Sequence, residues 1–332
     1  MLELNKVYNE DCLITMSKIK DKSINLIIAD FPYFEVKGEF DFIWKDFNEF
    51  LEWVEVCTKE FKRILADNGS LYVYGHAKKI AYKQIIFDKY FNLENNLVWY
   101  KPDSRTKKGI GEYRSYAPST ERILFYSNEI INIEGLCVNN TREYIRSEIL
   151  RAKGKIVFKE INQALGTATN GGGVASAVLS LDKTVPAMIT EEHYKLLQVW
   201  LNDKKDYEYL KKDYEDLKKD YEDLRRPFFN TKYEDVLSFN QDIHLYNIYN
   251  HPTQKPPKLS KALIETSSRE NDLVYIPFGG SGTELEQCQV LNRKYIGSEI
   301  EPKYYEIILD RLKNAKGEVG LFSDEIVQGS LF

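Results

Sequence analysis

The run Ile24-Asn25-Leu26-Ile27-Ile28, four apolar residues in five, constrains the fold more than any other stretch of the 332-residue chain. It has no solvent-facing side, so it reads as a strand buried on both faces. Pro32 stops the ladder hydrogen bonding soon afterwards. The stretch Ala29-Asp30-Phe31-Pro32-Tyr33-Phe34 therefore delivers an acid and an aromatic to the end of a core strand. Open α/β sheets bind their ligands at such ends.

The flanking segments alternate in the same sense. Asn5 to Cys12 reads as a short strand closed by a polar turn, and Leu13 to Ile19 as a short amphipathic helix. Asp41 to Leu65 repeats apolar residues at three and four and predicts a helix. Ser70 to Gly75 is a second core strand, Lys78 to Phe91 a helix, and Leu97–Lys101 and Arg122–Ser127 further strands. After residue 250 the alternation resumes, with a helix over Pro257–Ser267, strands at Asp272–Ile276 and Lys294–Ser298, and a helix between them. The pattern predicts a doubly wound α/β sheet, mostly parallel, with one antiparallel strand.

Composition narrows the class. A hydrophobic content of 43% with 13% aromatics supplies a core and excludes a disordered chain. Cys12, Cys57, Cys137 and Cys288 are far apart with no C-x-x-C pair, which argues against a zinc site or disulfide framework and fits a reducing cytoplasm. No apolar run approaches membrane-spanning length and no secretory signal is expected. The net charge of −5 is unlike that of a general nucleic-acid binder. The charge is uneven, however: Lys101–Arg114 and Arg142–Lys159 are locally basic and suggest one DNA-facing side, with Arg105, Lys107, Lys108 and Arg114 as candidate phosphate contacts.

Between residues 134 and 250 the alternation lapses. Gly166-Thr-Ala-Thr-Asn-Gly171-Gly172-Gly173 lacks the lysine and spacing of a phosphate-cradling loop and reads as a flexible connection. Thr190 begins a capped helix, with His193 in the place a capping box gives to Glu. The heptads KKDYEYL, KKDYEDL and KKDYEDL, Lys204 to Leu224, put Tyr207, Leu210, Tyr214, Leu217, Tyr221 and Leu224 on one stripe. That stripe predicts a long helix packing on its own domain; the alternative is a coiled coil joining two protomers in a homodimer.

The chemistry-bearing motifs lie on either side of this region. Pro277-Phe-Gly-Gly-Ser-Gly-Thr283 follows a strand and opens a helix, letting backbone approach a ligand under a helix N-terminus. Glu299 closes the next strand about twenty residues on, where an acid accepts hydrogen bonds from ribose hydroxyls. Together they suggest an adenosine-containing ligand.

HPTQKP, PFGGSGT and GSEIEPKYY, with an acid-x-Pro-Tyr loop near the N-terminus, resemble the beta group of S-adenosylmethionine-dependent DNA amino-methyltransferases. The resemblance covers residues 1–133 and 250–314 and implies a Rossmann-like methyltransferase sheet with an inserted recognition region. The expected division is a catalytic half over 1–133, target recognition over 134–250, a cofactor half over 251–316 and a tail over 317–332. By the resemblance, Phe278, Gly280 and Gly282 form the cofactor loop, Glu299 takes the ribose, Thr253 and Lys255 lie beside the cofactor, and Asp11 and Cys12 border its adenine. Asp30, Pro32 and Tyr33 match the catalytic loop, and Asp30 also lies near the cofactor. Pro302 and Tyr304 look structural.

Such a loop makes chemical sense. An exocyclic amine delocalises its lone pair into the ring and is a poor nucleophile. The Asp30 carboxylate and the Phe31 carbonyl would accept its two N–H bonds and turn the lone pair toward the methyl donor. Tyr33, with Phe34 as a second candidate, would stack on a base flipped from double-stranded DNA. Direct transfer uses no metal. Two positions depart from the family: Phe31 stands where it usually has Pro, and Ile276 where it usually has Asp. An acid opening the loop favours adenine N6 in this family. The alternatives are a cytosine-N4 enzyme and a catalytically impaired DNA-binding paralogue. Gln328-Gly-Ser-Leu-Phe332 resembles the peptide by which bacterial proteins dock on the replication sliding clamp; its other reading is a tail folded onto its own domain.

Overall fold

The computed structural model describes residues 2–34, 44–103, 116, 118–128, 140–182, 187–202, 208–224, 226–241, 249 and 254–315. They form two compact units, one of residues 1–129 with 226–332 and one of residues 130–225.

The first unit is built on an eight-stranded sheet in the order β1-β8-β7-β2-β3-β5-β4-β6. Its strands are β1 (Lys6–Tyr8), β2 (Ile24–Ala29), β3 (Leu65–Gly75), β4 (Asn92–Tyr100), β5 (Thr120–Ser127), β6 (Val236–Ser238), β7 (Leu273–Ile276) and β8 (Lys294–Ser298). Only β5 runs against its neighbours β3 and β4; the other pairings are parallel. The α/β sheet with one antiparallel strand is the expected one. β6 comes from the segment assigned by sequence to target recognition, and it adds to the edge of β4 through Val98↔Val236 and Tyr100↔Ser238.

Side chains alternate across β2. Ile27 and Ala29 join one core layer with Met16, Phe50, Val54, Phe61 and Phe87. Leu26 and Ile28 join the opposite layer with Leu259, Leu263, Leu285 and Ile308. Helices α1 (Cys12–Ser17), α2 (Phe47–Ile64) and α3 (Ile80–Phe87) supply the first layer. Helices α9 (Pro257–Ser267), α10 (Thr283–Val290) and α11 (Pro302–Asn314) supply the second. The two-period of the strand thus feeds two helical layers, which is why its sequence is apolar throughout.

Local chemistry fixes the ends of these helices. Asp46 caps α2 by accepting from the backbone N–H of Asn48 and Glu49 at 2.9 and 3.0 Å, while the Glu49 carboxylate accepts from Lys45 N–H at 2.6 Å. Arg63, in the last turn of α2, donates to the Met16 and Ile19 carbonyls at 2.7 and 2.9 Å and so satisfies the chain at the exit of α1. β3 begins at Leu65, earlier than the Asp67-Asn68-Gly69 turn suggests, because Leu65 already pairs with Ile24 of β2, and Asn128 donates to the Leu65 and Ala66 carbonyls at 2.9 Å each. Pro302 occupies the first turn of α11, where its missing N–H costs nothing.

The second unit has its own apolar core, built from α4 (Asn140–Lys153), α5 (Phe158–Ala164), α6 (Val174–Leu179), α7 (Glu191–Asn202) and α8 (Tyr214–Leu224). Two expectations change here. The glycine run is tied down, not flexible: buried Asn162 accepts from Ala175 N–H at 2.8 Å and from Thr167 Oγ1 at 3.0 Å, and donates to the Gly172 carbonyl at 3.3 Å. The heptads do not form one continuous helix. Leu210 takes a left-handed φ of 54° and α8 starts only at Tyr214, so a coiled coil over the whole repeat is ruled out within the described residues. Leu210 and Leu217 are both buried in the core of this unit. At α7, Thr190 accepts from His193 N–H at 3.3 Å and its hydroxyl meets His193 Nδ1 at 2.8 Å, so the histidine completes the cap.

Candidate active site

The parallel strands end on one side of the sheet, and the candidate residues follow those ends. Asp11 follows β1, Asp30 follows β2, Pro277–Gly282 follows β7 and Glu299 follows β8. Because β5 is antiparallel, its first residues Thr120 and Glu121 reach the same side, opposite Tyr100 and Trp99.

Asp30 is the centre of a buried polar group. Its Oδ2 accepts from Lys255 Nζ at 2.5 Å and its Oδ1 lies 3.1 Å from the Tyr33 hydroxyl. The same hydroxyl is 2.9 Å from Glu121 Oε2 and receives Lys255 Nζ at 3.2 Å. Lys101 donates to the other Glu121 oxygen, and Lys255 Nζ stands 3.8 Å from Glu121 Oε2. Side-chain exposure is 3% for Lys255 and 22% for Asp30, so these charges meet in a water-poor setting where pairing is strong. Burial raises the Asp30 pKa, and Lys255 pulls it back only in part. Burial also lifts Glu121, but Lys255 and Lys101 reverse the sign and leave its carboxyl below the ordinary range. Burial disfavours the charge on Lys255, yet Asp30 and Glu121 outweigh it and keep the ammonium protonated.

The backbone of the Asp30–Phe34 loop is held by packing. The Phe31 ring is 1% exposed and meets Phe278, Trp53, Phe61 and Phe87 at centroid distances of 4.8, 5.7, 5.9 and 6.0 Å. A proline would stiffen this position through its ring closure; here an aromatic anchor does so by filling the core. Lys83 Nζ sits 4.9 Å above the Phe31 ring and 3.4 Å from the Pro32 carbonyl. Phe34 closes the loop at φ 55°, a left-handed conformation that costs a non-glycine residue about 1–2 kcal/mol. Its ring is buried against Phe47 and Phe50 at 5.3 and 5.6 Å, and Lys79 donates to its carbonyl at 2.5 Å. Phe34 is therefore a core residue and not a second stacking surface.

A second group forms where β7, β8 and β1 end. Gly280 and Gly282 have φ of 54° and 80°, which glycine adopts without strain. Gly280 N–H donates to Glu299 Oε2 at 2.7 Å, and Glu301 N–H to Glu299 Oε1 at 2.9 Å. A carboxylate offers about four lone-pair directions, so both oxygens retain capacity for ribose hydroxyls. Burial raises the Glu299 carboxyl while these backbone donors hold it down in part. Asp11 caps α1 by accepting from Leu13 N–H at 2.7 Å, and the Cys12 carbonyl accepts from Tyr275 Oη at 3.2 Å. Asn9 donates to the Glu299 carbonyl at 2.8 Å, which ties the β1 turn to the end of β8. The Phe31–Phe278 contact joins this group to the Asp30 loop. Thr253, Arg105, Lys107, Lys108, Arg114 and Gln328–Phe332 lie outside the described residues.

Residues that sequence reasoning passed over complete the site. Glu121 and Lys101 sit at paired strand ends, and an expected β5 beginning at Arg122 left Glu121 outside the sheet. Opposite charges at two adjacent strand ends were the available signal. Gly279 was also missed: a Cβ there would stand 2.6 Å from Ile308 Cδ1 and 3.2 Å from the Ser298 carbonyl oxygen, so a side chain would push on α11 and on the end of β8. Glu284, in the first turn of α10, is buried and accepts from Ser260 Oγ at 2.9 Å; burial and nearby Asp30 raise its carboxyl. Ile276 is 1% exposed in the apolar layer with Leu26, Ile28 and Val274.

Comparison with known proteins gives this geometry a family. "DNA adenine methyltransferase YhdJ" of Escherichia coli (strain K12) is 26% identical over 93% of this chain and 83% of its own length. Two solved structures share the fold. The M1.HpyAVI–SAM complex has a TM-score of 0.52 at 18% identity, covering 92% of this chain and 98% of the other. The PvuII DNA methyltransferase (cytosine-N4-specific) has a TM-score of 0.52 at 14% identity, covering 97% and 88%. The family profile described as DNA methylase, N6_N4_Mtase, matches residues 24–310, from the strand that leads to Asp30 into α11, and the chain belongs to this family of DNA amino-methyltransferases.

Proposed function

We propose that the protein moves the methyl group of S-adenosylmethionine to the N6 amino group of an adenine flipped out of double-stranded DNA. The observation that carries this reading is the partly buried Asp30 carboxylate at the end of β2, joined through Phe31 and Phe278 to a glycine loop whose backbone meets Glu299. The residues fit the methyl donor of this family. Glycines with left-handed φ permit close backbone approach, Glu299 keeps acceptor capacity for a ribose, and Asp11 and Cys12 stand at the neighbouring strand end. When bound, S-adenosylmethionine supplies an electrophilic methyl group and departs as a neutral thioether.

Asp30 and the Phe31 carbonyl accept the two amine N–H bonds, and Tyr33 stacks on the base with its hydroxyl tethered to Glu121. Lys255 keeps Asp30 ionised before the base enters. Arg105, Lys107, Lys108 and Arg114 contact phosphates, and residues 134–250 carry target recognition. Support for adenine comes from Asp30 itself and from the adenine methyltransferase named among the relatives. The deciding experiment is transfer of a tritiated methyl group to mixed-sequence DNA followed by nucleoside analysis. Labelled N6-methyladenine is expected. Labelled N4-methylcytosine would reassign the target, and no label would identify an impaired paralogue.

A further inference from the structure

Three oxygens follow one another at the Asp30 loop: Asp30 Oδ1, Tyr33 Oη and Glu121 Oε2, with separations of 3.1 and 2.9 Å. Both are hydrogen-bond distances, so each contact calls for a hydrogen. A phenol has only one to give, and an ionised carboxylate has none. The nearest cation does not supply the missing one. Lys255 Nζ donates to Asp30 Oδ2 and to the Tyr33 oxygen, and Lys101 donates to the far oxygen of Glu121. These two contacts therefore share one hydrogen, and the ionised Asp30 Oδ1 has a place for a second.

Its direction is set by charge. Glu121 faces two lysines, Lys101 and Lys255, and stays ionised. Asp30 faces Lys255, Lys83, Tyr33, Tyr74, Glu121 and Glu284, of which Glu121 and Glu284 favour its protonated form. The shorter contact of the Tyr33 hydroxyl is to Glu121. With its hydrogen there, the phenol turns a lone pair toward Asp30 Oδ1.

We propose that the Asp30–Tyr33–Glu121 line receives the proton released by the methylated amine, with Glu121 as the positioning residue that gives the line its direction. This rests on the reading of Asp30 as the amine-holding residue. When the amine lone pair forms the new N–C bond, its nitrogen becomes positively charged. One N–H bond then breaks, its electron pair stays on nitrogen, and the proton forms an O–H bond on Asp30. That hydrogen points to the Tyr33 oxygen, the Tyr33 hydrogen stays on Glu121, and both contacts become complete hydrogen bonds. The proton passes from partly exposed Asp30 to water once the product leaves.

Glu121→Gln tests the direction. Lys101 has donors only, so it holds the amide oxygen of the new side chain and turns the NH2 toward Tyr33. The phenol then gives its hydrogen to Asp30, and the place for the amine proton is lost. Single-turnover methyl transfer to unmethylated mixed-sequence DNA, across pH 5–9, is compared for the full-length wild type, E121Q, Y33F and the double variant. Y33F keeps the ring that stacks on the base. E121Q and Y33F are each expected to be about 10²-fold slower, the low end of the contribution of a positioned proton acceptor. The double variant is expected within threefold of Y33F, as for residues acting as one unit. The acid limb of E121Q should move to lower pH, because a negative neighbour of Asp30 is gone. Wild-type rates with an unshifted profile in Y33F and E121Q would overturn the proposal, as would multiplicative losses in the double variant. D30A separates the two readings: if it is inactive while Y33F and E121Q are normal, only this proposal falls, and if it transfers methyl groups, the assignment of Asp30 falls as well.

Discussion

At the scale of single residues, the site turns on how far Asp30 is removed from water. Its burial raises the carboxyl pKa, and Lys255 at 2.5 Å restores only part of the difference. In the proposed reaction the amine requires the ionised form. Protonation on acidification removes the acceptor, so activity falls as pH drops through the raised value and is regained above it. The pH profile of kcat/KM is therefore expected to show an acid limb above the ordinary aspartate range. Asp30→Ala should lower kcat by at least about 10²-fold with S-adenosylmethionine affinity largely kept, as measured by calorimetry, because the role proposed for the residue is on the amine in the transition state. Phe31 acts through packing. Phe31→Ala would empty a space bounded by four aromatic rings and should cost about 3–5 kcal/mol in urea denaturation. Of these residues, the placement of Asp30 and Tyr33 was legible in the sequence because they follow a strongly apolar strand. Glu121 was not, since its meaning depends on which strand end it pairs with, and that is settled by long-range register.

At the scale of elements, the glycine loop is fastened by α11. Arg311, 1% exposed, donates to Glu286 Oε2 through Nε and Nη2 at 2.9 and 2.7 Å and to the Ser281 carbonyl at 3.2 Å. A guanidinium makes this forked contact where an ammonium does not. Removing it strands Glu286 in a largely buried place, so Arg311→Ala is expected to destabilise the fold by about 3–5 kcal/mol. It should also weaken cofactor binding, because Ser281 loses its tether; isothermal calorimetry on the folded variant checks this. The strands and helices of this half were readable because period and caps agreed. The heptad repeat misled for a physical reason. Leu210 reaches the core of its unit through a left-handed turn, and burial of that side chain outweighs the preference of the sequence for one unbroken helix.

At the scale of the whole molecule, the second unit carries an apolar core of its own, including Ile145, Ile149, Leu197 and Leu217. A chain of residues 130–225 is expected to fold alone, with helical circular dichroism and a single cooperative thermal transition. The proposed phosphate contacts make a separate prediction for the complete protein. Replacing Arg105, Lys107, Lys108 and Arg114 by Gln should reduce the slope of log affinity against log salt by about 0.9 for each lost contact, read by fluorescence anisotropy on duplex DNA.

The strand order has a consequence for synthesis. β2 pairs with β3 on one side, through residues that follow it closely, and with β7 on the other, through Leu26↔Val274 and Ile27↔Tyr275. β1 likewise waits for β8, with Lys6 opposite Ile296. About 170 residues separate the end of the first segment from the end of β8. At translation rates of roughly 5–20 residues per second, they take about 10–30 s to emerge. For that interval the central apolar strand presents an unpaired edge to the cell, the kind of template that aggregating chains and chaperones compete for. The second unit is made within the same interval, and its local helix contacts let it fold while the nascent sheet is still half built.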